Sequence, residues 1–416
     1  MRRVVVTGLG TVNSLGLNVE SSLPRILAGE NGISTVDRFD TTGLTATIGG
    51  LIRWKPEEHG FDDREQRKLD PFTMWALMAS DEALRDAGLD GIKNESPELR
   101  RRCGTIIATG IGGITGILEQ QAVLVERGAR RVSPHFIPRI MANAVSGQVA
   151  IRHGLMGTAF TTSSACASAG HAIGMAWRAI QWDDCDIVVT GGSESAITPL
   201  SMAGFASAKA LSTRNDDPGA ASRPFDLNRD GFVMGEGCGL LVFEEYERAK
   251  ARGARIYCEV KGYGSTDDAF HITAPEESGD GPARAMEEAL RHGKVNLDEV
   301  DYVNAHGTST EYNDATETKA IRRVFGDHAD KLAVSSTKSM IGHLLGGATG
   351  VELVYTVLAV HSNTVHPTRN YETPDPACDL DYVPGAAREM RVRNALCNSL
   401  GFGGHNVSVL VGELAS

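Results

Sequence analysis

Short runs rich in β-branched residues alternate along this chain with longer stretches of helical periodicity, and that alternation restricts it to layered α/β architecture. Val4–Thr7, Gly104–Thr109, Ile187–Thr190, Leu240–Glu244, Tyr257–Lys261, Tyr302–Asn304, Ala333–Ser336 and Val407–Val411 are expected as strands. Most lack alternating polarity, as strands covered on both faces do. The helices between them have legible ends. Asp70 stands in the N-cap place, Pro71 suits the first helical position, and Phe72, Trp75, Ala76, Ala79 and Ala83 form one apolar stripe before Gly88. At 416 residues the chain is long enough for two domains or one large duplicated unit. No sequence repeat or long linker stands out, and the charged stretch Glu245–Arg255 is the best boundary between two halves.

Charge narrows the partners. The 53 acidic and 41 basic residues give a formal charge of -12, which disfavours nonspecific nucleic-acid binding. Seven cysteines, scattered without CxxC pairs, predict a reducing compartment, the cytoplasm. The amino terminus enters an apolar strand at once, with no signal-peptide pattern. The uncharged stretch from Gly154 to Trp177 is too rich in Gly, Ser, Thr and Ala to favour a membrane span.

Three segments, VTGLG, VNAHGTST and SSTKSMIGH, are each expected after a strand and before a helix, where open α/β sheets bind ligands. The first is no dinucleotide loop, because Asn13 stands where the third glycine belongs and no acidic residue follows at a second strand end. ATGIGGITG, from Ala108, lacks the Lys and Ser/Thr of a phosphate-binding loop.

Cys166, in SSACASAG, precedes Ile173, Ala176, Trp177 and Ile180 at helical spacing. A thiol at a helix amino terminus meets unpaired N–H groups and a positive dipole end, which favour the nucleophilic thiolate. The alternative is a small buried hydrophobe. His306 and His343 lie among small and hydroxylic neighbours at strand ends and could donate hydrogen bonds to a carbonyl oxygen. A zinc site built from the same three side chains is the rival reading, although their spacing matches no zinc-ligand pattern, so no metal is expected. Glu352 is the one formally charged residue between Lys338 and Arg369, and a buried carboxylate on that apolar helix needs Lys338 as partner. Phe402 sits among glycines in NSLGFGGHN, where a neighbouring N–H could serve an oxyanion and the ring could act as a gate. A plain turn is the alternative there.

SSACASAG, NAHGTST, SSTKSMIGHLLG and NSLGFGGHN, in that order, resemble the elongating β-ketoacyl-acyl carrier protein synthases, and ALSTRNDDPGAASRPFD and RDGFVMGEG extend the likeness from Val4 to about Val411. The resemblance implies an α/β thiolase-like fold of two similar halves, 1–252 with the cysteine and 253–416 with the two histidines, in a five-layered αβαβα core. It implies Cys166 as acyl acceptor, His306 and His343 as the pair on the malonyl thioester, and Lys338 with Glu352 as their supporting ion pair. It further implies Phe402 as gate, the N–H groups of Cys166 and Phe402 as oxyanion hole, and Thr308 and Thr310 against the pantetheine arm. Ile111, Phe136 and Phe205 would line the acyl pocket. Arg67, Lys68, Arg130, Arg131 and Lys209 would dock an acidic acyl carrier protein.

The activity so implied is decarboxylative condensation that extends a fatty acyl chain by two carbons, an acyltransferase reaction of fatty acid biosynthesis, by a homodimer without metal or redox cofactor. Two segments depart from the family's common pattern: Gly346-Gly347-Ala348-Thr349-Gly350 where GAAGA is common, and, where SPFF is common, Ser133-Pro134-His135-Phe136, four residues in a segment that lines the acyl pocket in relatives. They keep alive a ketosynthase subunit of a type II polyketide or polyene line, paired as a heterodimer with a chain-length factor. A catalytically silent carrier-binding subunit is a third reading, disfavoured by the presence of Cys166.

Overall fold

A computed structural model describes residues 1–414. All eight expected strands form, joined by two more, in one ten-stranded sheet. In chain order the first half runs β1 (Val4–Val12), α1 (Pro71–Asp86), β2 (Cys103–Ala108), α2 (Ala144–His153), β3 (Ala159–Phe160), α3 (Ser168–Gln181), β4 (Ile187–Glu194) and β5 (Gly237–Glu245). The second half runs β6 (Cys258–Asp267), α4 (Asp280–Gly293), β7 (Tyr302–Asn304), α5 (Glu311–Phe325), β8 (Ala333–Ser335), α6 (Ala348–Ser362), β9 (Asn394–Gly401) and β10 (His405–Gly412).

The sheet order is β8-β7-β9-β10-β6-β1-β5-β4-β2-β3. Outward from the central β1–β6 pair, each half has two antiparallel and then two parallel neighbours. The halves therefore share one βαβαβαββ topology, a duplication without trace as a sequence repeat. β1 meets β6 antiparallel, Val4 opposite Val260.

The helices make three layers around two sheet layers. α1 and α2 cover the outer face of the first half, and α4 with α5 covers that of the second. α3 and α6 lie between, each touching strands of both halves. α6 shows why: Ala348 through Val360 is buried without interruption, so no polar face remains to meet water. Each fully buried Val or Leu there contributes about 1.5–3 kcal/mol. Close approach needs Gly239 on β5, where a Cβ would lie 2.3 Å from the Val351 nitrogen.

Two local expectations are corrected. VTGLG does not end a strand: β1 runs on to Val12, with an irregularity between Val6 and Gly8 that its ladder with β5 absorbs. Asp70 occupies the N-cap position of α1, but its side chain makes no cap and instead accepts from the Gly116 N–H at 2.8 Å.

Candidate functional site

Cys166 lies two residues before α3, on a turn that the sequence folds tightly. Ala165 takes φ +50°, Ser168 Oγ donates to the Ala165 carbonyl at 2.6 Å, and the Ser164 N–H donates to Ser168 Oγ at 2.8 Å. Ser399 of β9 donates to the Cys166 carbonyl at 2.9 Å and ties the turn to the second half. The sulfur is largely buried but lines a cavity of about 610 Å³.

The same step in the second half, between β8 and α6, carries His343. Its N–H donates to the Val233 carbonyl at 2.7 Å, and its carbonyl accepts from the Gly235 N–H at 2.8 Å, so the backbone is clamped on both sides. His343 Nδ1 accepts from the Leu345 N–H at 3.3 Å, which leaves the ring proton on Nε2, 3.0 Å from Cys166 Sγ. His306 follows β7. Its Nδ1 lies 3.3 Å from Lys338 Nζ, an ammonium that can only donate, so this ring too carries its proton on Nε2. The two rings stand edge to face with centroids 5.2 Å apart. Ligand atoms of Cys166, His306 and His343 fall within 4.8 Å of one another.

This proton arrangement argues against zinc. A zinc-bound histidine usually donates its second N–H to a carboxylate or carbonyl. Here an ammonium stands behind His306 and an N–H behind His343, so both Nε2 atoms present protons rather than lone pairs.

Electrostatics keep both rings uncharged. Burial, then the Lys338 charge, hold both histidines well below their ordinary range, and they are neutral donors at physiological pH. Lys338 and Glu352 form the ion pair expected from the sequence, nearly fully buried. Burial pushes the Glu352 carboxyl up against the opposing pull of Lys338.

The thiol departs from the sequence expectation. Burial pushes Cys166 up to about 11, and Lys338 and a hydrogen bond from the Phe402 backbone only partly oppose it. The resting sulfur is therefore mainly a thiol, because desolvation outweighs the helix end.

Ile111, Phe205, Thr308, Thr310, Lys209 and Phe402 all line the cavity, with Thr308 and Thr310 hydroxyls 2.9 Å apart. Phe136 does not: it starts the short helix Phe136–Ile140 on a half-buried surface. Arg67, Lys68, Arg130 and Arg131 also lie outside the cavity lining, and none of the five basic residues makes an ion pair among the described residues. Gly401 brings the Phe402 segment onto the nucleophile turn, since a Cβ there would sit 3.2 Å from the Cys166 nitrogen.

Several supports were not foreseen. Glu317 accepts from the His306 and Gly307 N–H groups at 2.8 and 2.9 Å, and Asp314 accepts from the Thr308 and Ser309 N–H groups at 3.0 and 3.2 Å. The available signal was their position in the opening turns of α5, directly after NAHGTST. Phe232 packs edge-on to His343 with centroids 5.3 Å apart.

A buried sulfur facing two neutral N–H donors in one cavity is an arrangement suited to a cysteine nucleophile acting on a carbonyl substrate. Residues 1–249 match the beta-ketoacyl synthase N-terminal domain and residues 257–372 its C-terminal domain. The chain belongs to the beta-ketoacyl synthase family. It is 49% identical over 408 residues to 3-oxoacyl-[acyl-carrier-protein] synthase 2 of Synechocystis sp., covering 98% of this chain and 97% of that one. It is 47% identical to the protein of the same name in Rhizobium meliloti, covering 99% of both. Among solved structures, a type II PKS acyl-carrier protein in complex with its ketosynthase matches over 100% of both chains, with TM-score 0.90 and 34% identity. The ishigamide ketosynthase/chain length factor matches as fully, with TM-score 0.91 and 32% identity. These likenesses carry the thiolase-like, five-layered α/β fold.

Proposed function

We propose that this chain elongates a fatty acyl group by two carbons through decarboxylative condensation with malonyl-acyl carrier protein. The observation that carries the reading is the 3.0 Å approach of His343 Nε2 to Cys166 Sγ, with His306 beside it, on the floor of one cavity.

Cys166 attacks the thioester carbonyl of an acyl carrier. The tetrahedral oxyanion is received by the N–H groups of Cys166 and Phe402. Collapse leaves the acyl group on sulfur and expels the pantetheine thiol, which departs with the cysteine's proton. The malonyl thioester then places its carbonyl oxygen before His306 Nε2–H and His343 Nε2–H. Breaking the bond to its carboxylate releases carbon dioxide and puts the electron pair into an enolate, which two neutral donors stabilise without a proton transfer. The enolate carbon attacks the acyl-cysteine carbonyl, the carbon–sulfur bond breaks, and Cys166 recovers a proton from solvent. Lys338 keeps the His306 proton on Nε2, and Glu352 balances its charge.

The rest of the reading follows the same line. The halves 1–252 and 253–416 form the duplicated unit, two chains pair as a homodimer in the cytoplasm, and Phe136 reaches the acyl pocket at that pairing surface. Exposed Ile117, Val125, Ile137 and Met141 support such a surface. Arg67, Lys68, Arg130, Arg131 and Lys209 receive the acidic carrier protein. No helix among the described residues is long and apolar enough to cross a membrane.

The test is condensation by the purified chain alone, with acyl and malonyl carrier proteins and mass detection. A product longer by two carbons supports the reading. Activity only with an added chain-length factor would favour a polyketide ketosynthase subunit instead.

A further inference from the structure

Glu194, the last residue of β4, is fully buried yet pairs with no cation among the described residues. Its four hydrogen bonds all come from neutral donors. Oε1 accepts from Thr109 Oγ1 at 3.0 Å and the Ile111 N–H at 3.3 Å, and Oε2 accepts from the Gly110 N–H at 2.7 Å and the Gly346 N–H at 3.1 Å. Burying an ionisable group without a counter-charge is costly, and four donors are what a carboxylate needs to offset it.

The donors belong to two loops with different duties. Gly110 and Ile111 line the cavity beside Cys166. Gly346 follows Leu345, which takes φ +48° and whose N–H fixes the His343 ring proton on Nε2. The loops are in backbone contact, since a Cβ on Gly346 would lie 2.0 Å from the Gly110 nitrogen. One rigid carboxylate therefore fastens the wall that an acyl chain presses against to the loop that aims a proton donor.

We propose that Glu194 is a positioning residue that couples the fit of the acyl chain at Ile111 to the orientation of His343. This rests on the condensation reading. A chain that fits Ile111 leaves the 110–112 loop seated and His343 aimed. A chain that displaces it drags Gly346 and Leu345 through the shared carboxylate. Selectivity for chain length then arises in the condensation step, after acyl loading.

The experiment compares the wild-type chain with Glu194→Gln and Thr109→Val, using acyl carrier proteins of graded chain length. Acyl-enzyme formation is followed by intact mass, and condensation kcat is measured separately. Glu194→Gln replaces one acceptor oxygen by a donor, so condensation is expected to fall about tenfold for the best wild-type chain. The dependence of kcat on chain length should flatten, with acyl loading changed less than twofold. Thr109→Val removes one of four donors and should shift the same profile in the same direction by a smaller factor. If Glu194→Gln does not fold, Thr109→Val and Ile111→Ala, alone and together, still test the coupling, because independent effects on kcat would multiply and coupled ones would not. A folded Glu194→Gln whose chain-length profile parallels the wild type overturns the proposal, as does multiplicative behaviour of Thr109→Val and Ile111→Ala. A wild-type chain that neither loads nor condenses would instead overturn the functional reading.

Discussion

The two halves build the same strand–loop–buried-helix step and load it with different chemistry. In the first half the loop between β3 and α3 carries Cys166 among Ser and Ala, with no charged side chain in the turn. In the second half the segment between β8 and α6 carries Lys338 and His343, and Glu352 sits in the second turn of the helix. The two loops meet where Cys166 Sγ faces His343 Nε2. In the proposed reaction the first supplies a nucleophile whose proton is held by desolvation, while the second supplies one donor, His343, and the Lys338 ammonium that fixes the tautomer of the other, His306, which follows β7. Duplication of the fold thus places two unlike functions in contact without either half owning the whole site.

The comparison breaks most visibly at the ion pair. Lys338→Met leaves Glu352 as an unpaired buried carboxylate and should cost about 3–5 kcal/mol in denaturant unfolding. The double variant Lys338→Met/Glu352→Leu should recover most of that stability while condensation stays impaired. A single variant as stable as wild type would mean that the pair is solvated.

His343→Ala removes a donor from the second loop only. Condensation should fall about 10²–10³-fold, as loss of one preorganised donor does elsewhere, with acyl transfer to Cys166 reduced much less. Equal loss of both activities would contradict the division between the loops.

The first loop is sharpened by pH. With burial raising the thiol to about 11, the thiolate is the minor form below that pH, so alkylation of Cys166 by iodoacetamide should speed up about tenfold per pH unit between 7 and 9. A rate already flat over that range would show a sulfur ionised by the helix end instead.

The smallest effect lies outside the cavity. Charge reversal at Arg67 and Lys68 should weaken carrier-protein binding by about 1 kcal/mol at low salt, with the difference shrinking as salt rises, measured by titration calorimetry.

Much of this contrast was legible in the sequence, for identifiable reasons. The Cys166 turn announces itself through small residues before a helical stripe, and Glu352 through isolation on an apolar helix, which calls for Lys338 as its partner. β9 was not legible because Asn398 and Gly401 interrupt it and Gly403 and Gly404 follow at once in a turn, although its residues pair with β10 from Asn394 to Gly401. β3 has only two residues and depends on its parallel partner β2 for existence. The duplication resides in strand order and sense, which different sequences can satisfy. Asp70 reads as a helix cap, Glu194, Asp314 and Glu317 carry no pattern of their own in the sequence, and only the fold turns these carboxylates onto loop N–H groups. The thiol's pKa was misjudged because a helix end is visible in sequence whereas the depth of burial opposing it is not.

The most direct measurement is peptide mapping of the chain after incubation with an acyl carrier protein bearing a fatty acyl group. The account predicts one acyl adduct, on the peptide containing Cys166, none on the other six cysteines, and release of that adduct when malonyl carrier protein is added. An adduct on another cysteine, or one that persists unchanged after malonyl carrier protein is supplied, would contradict it.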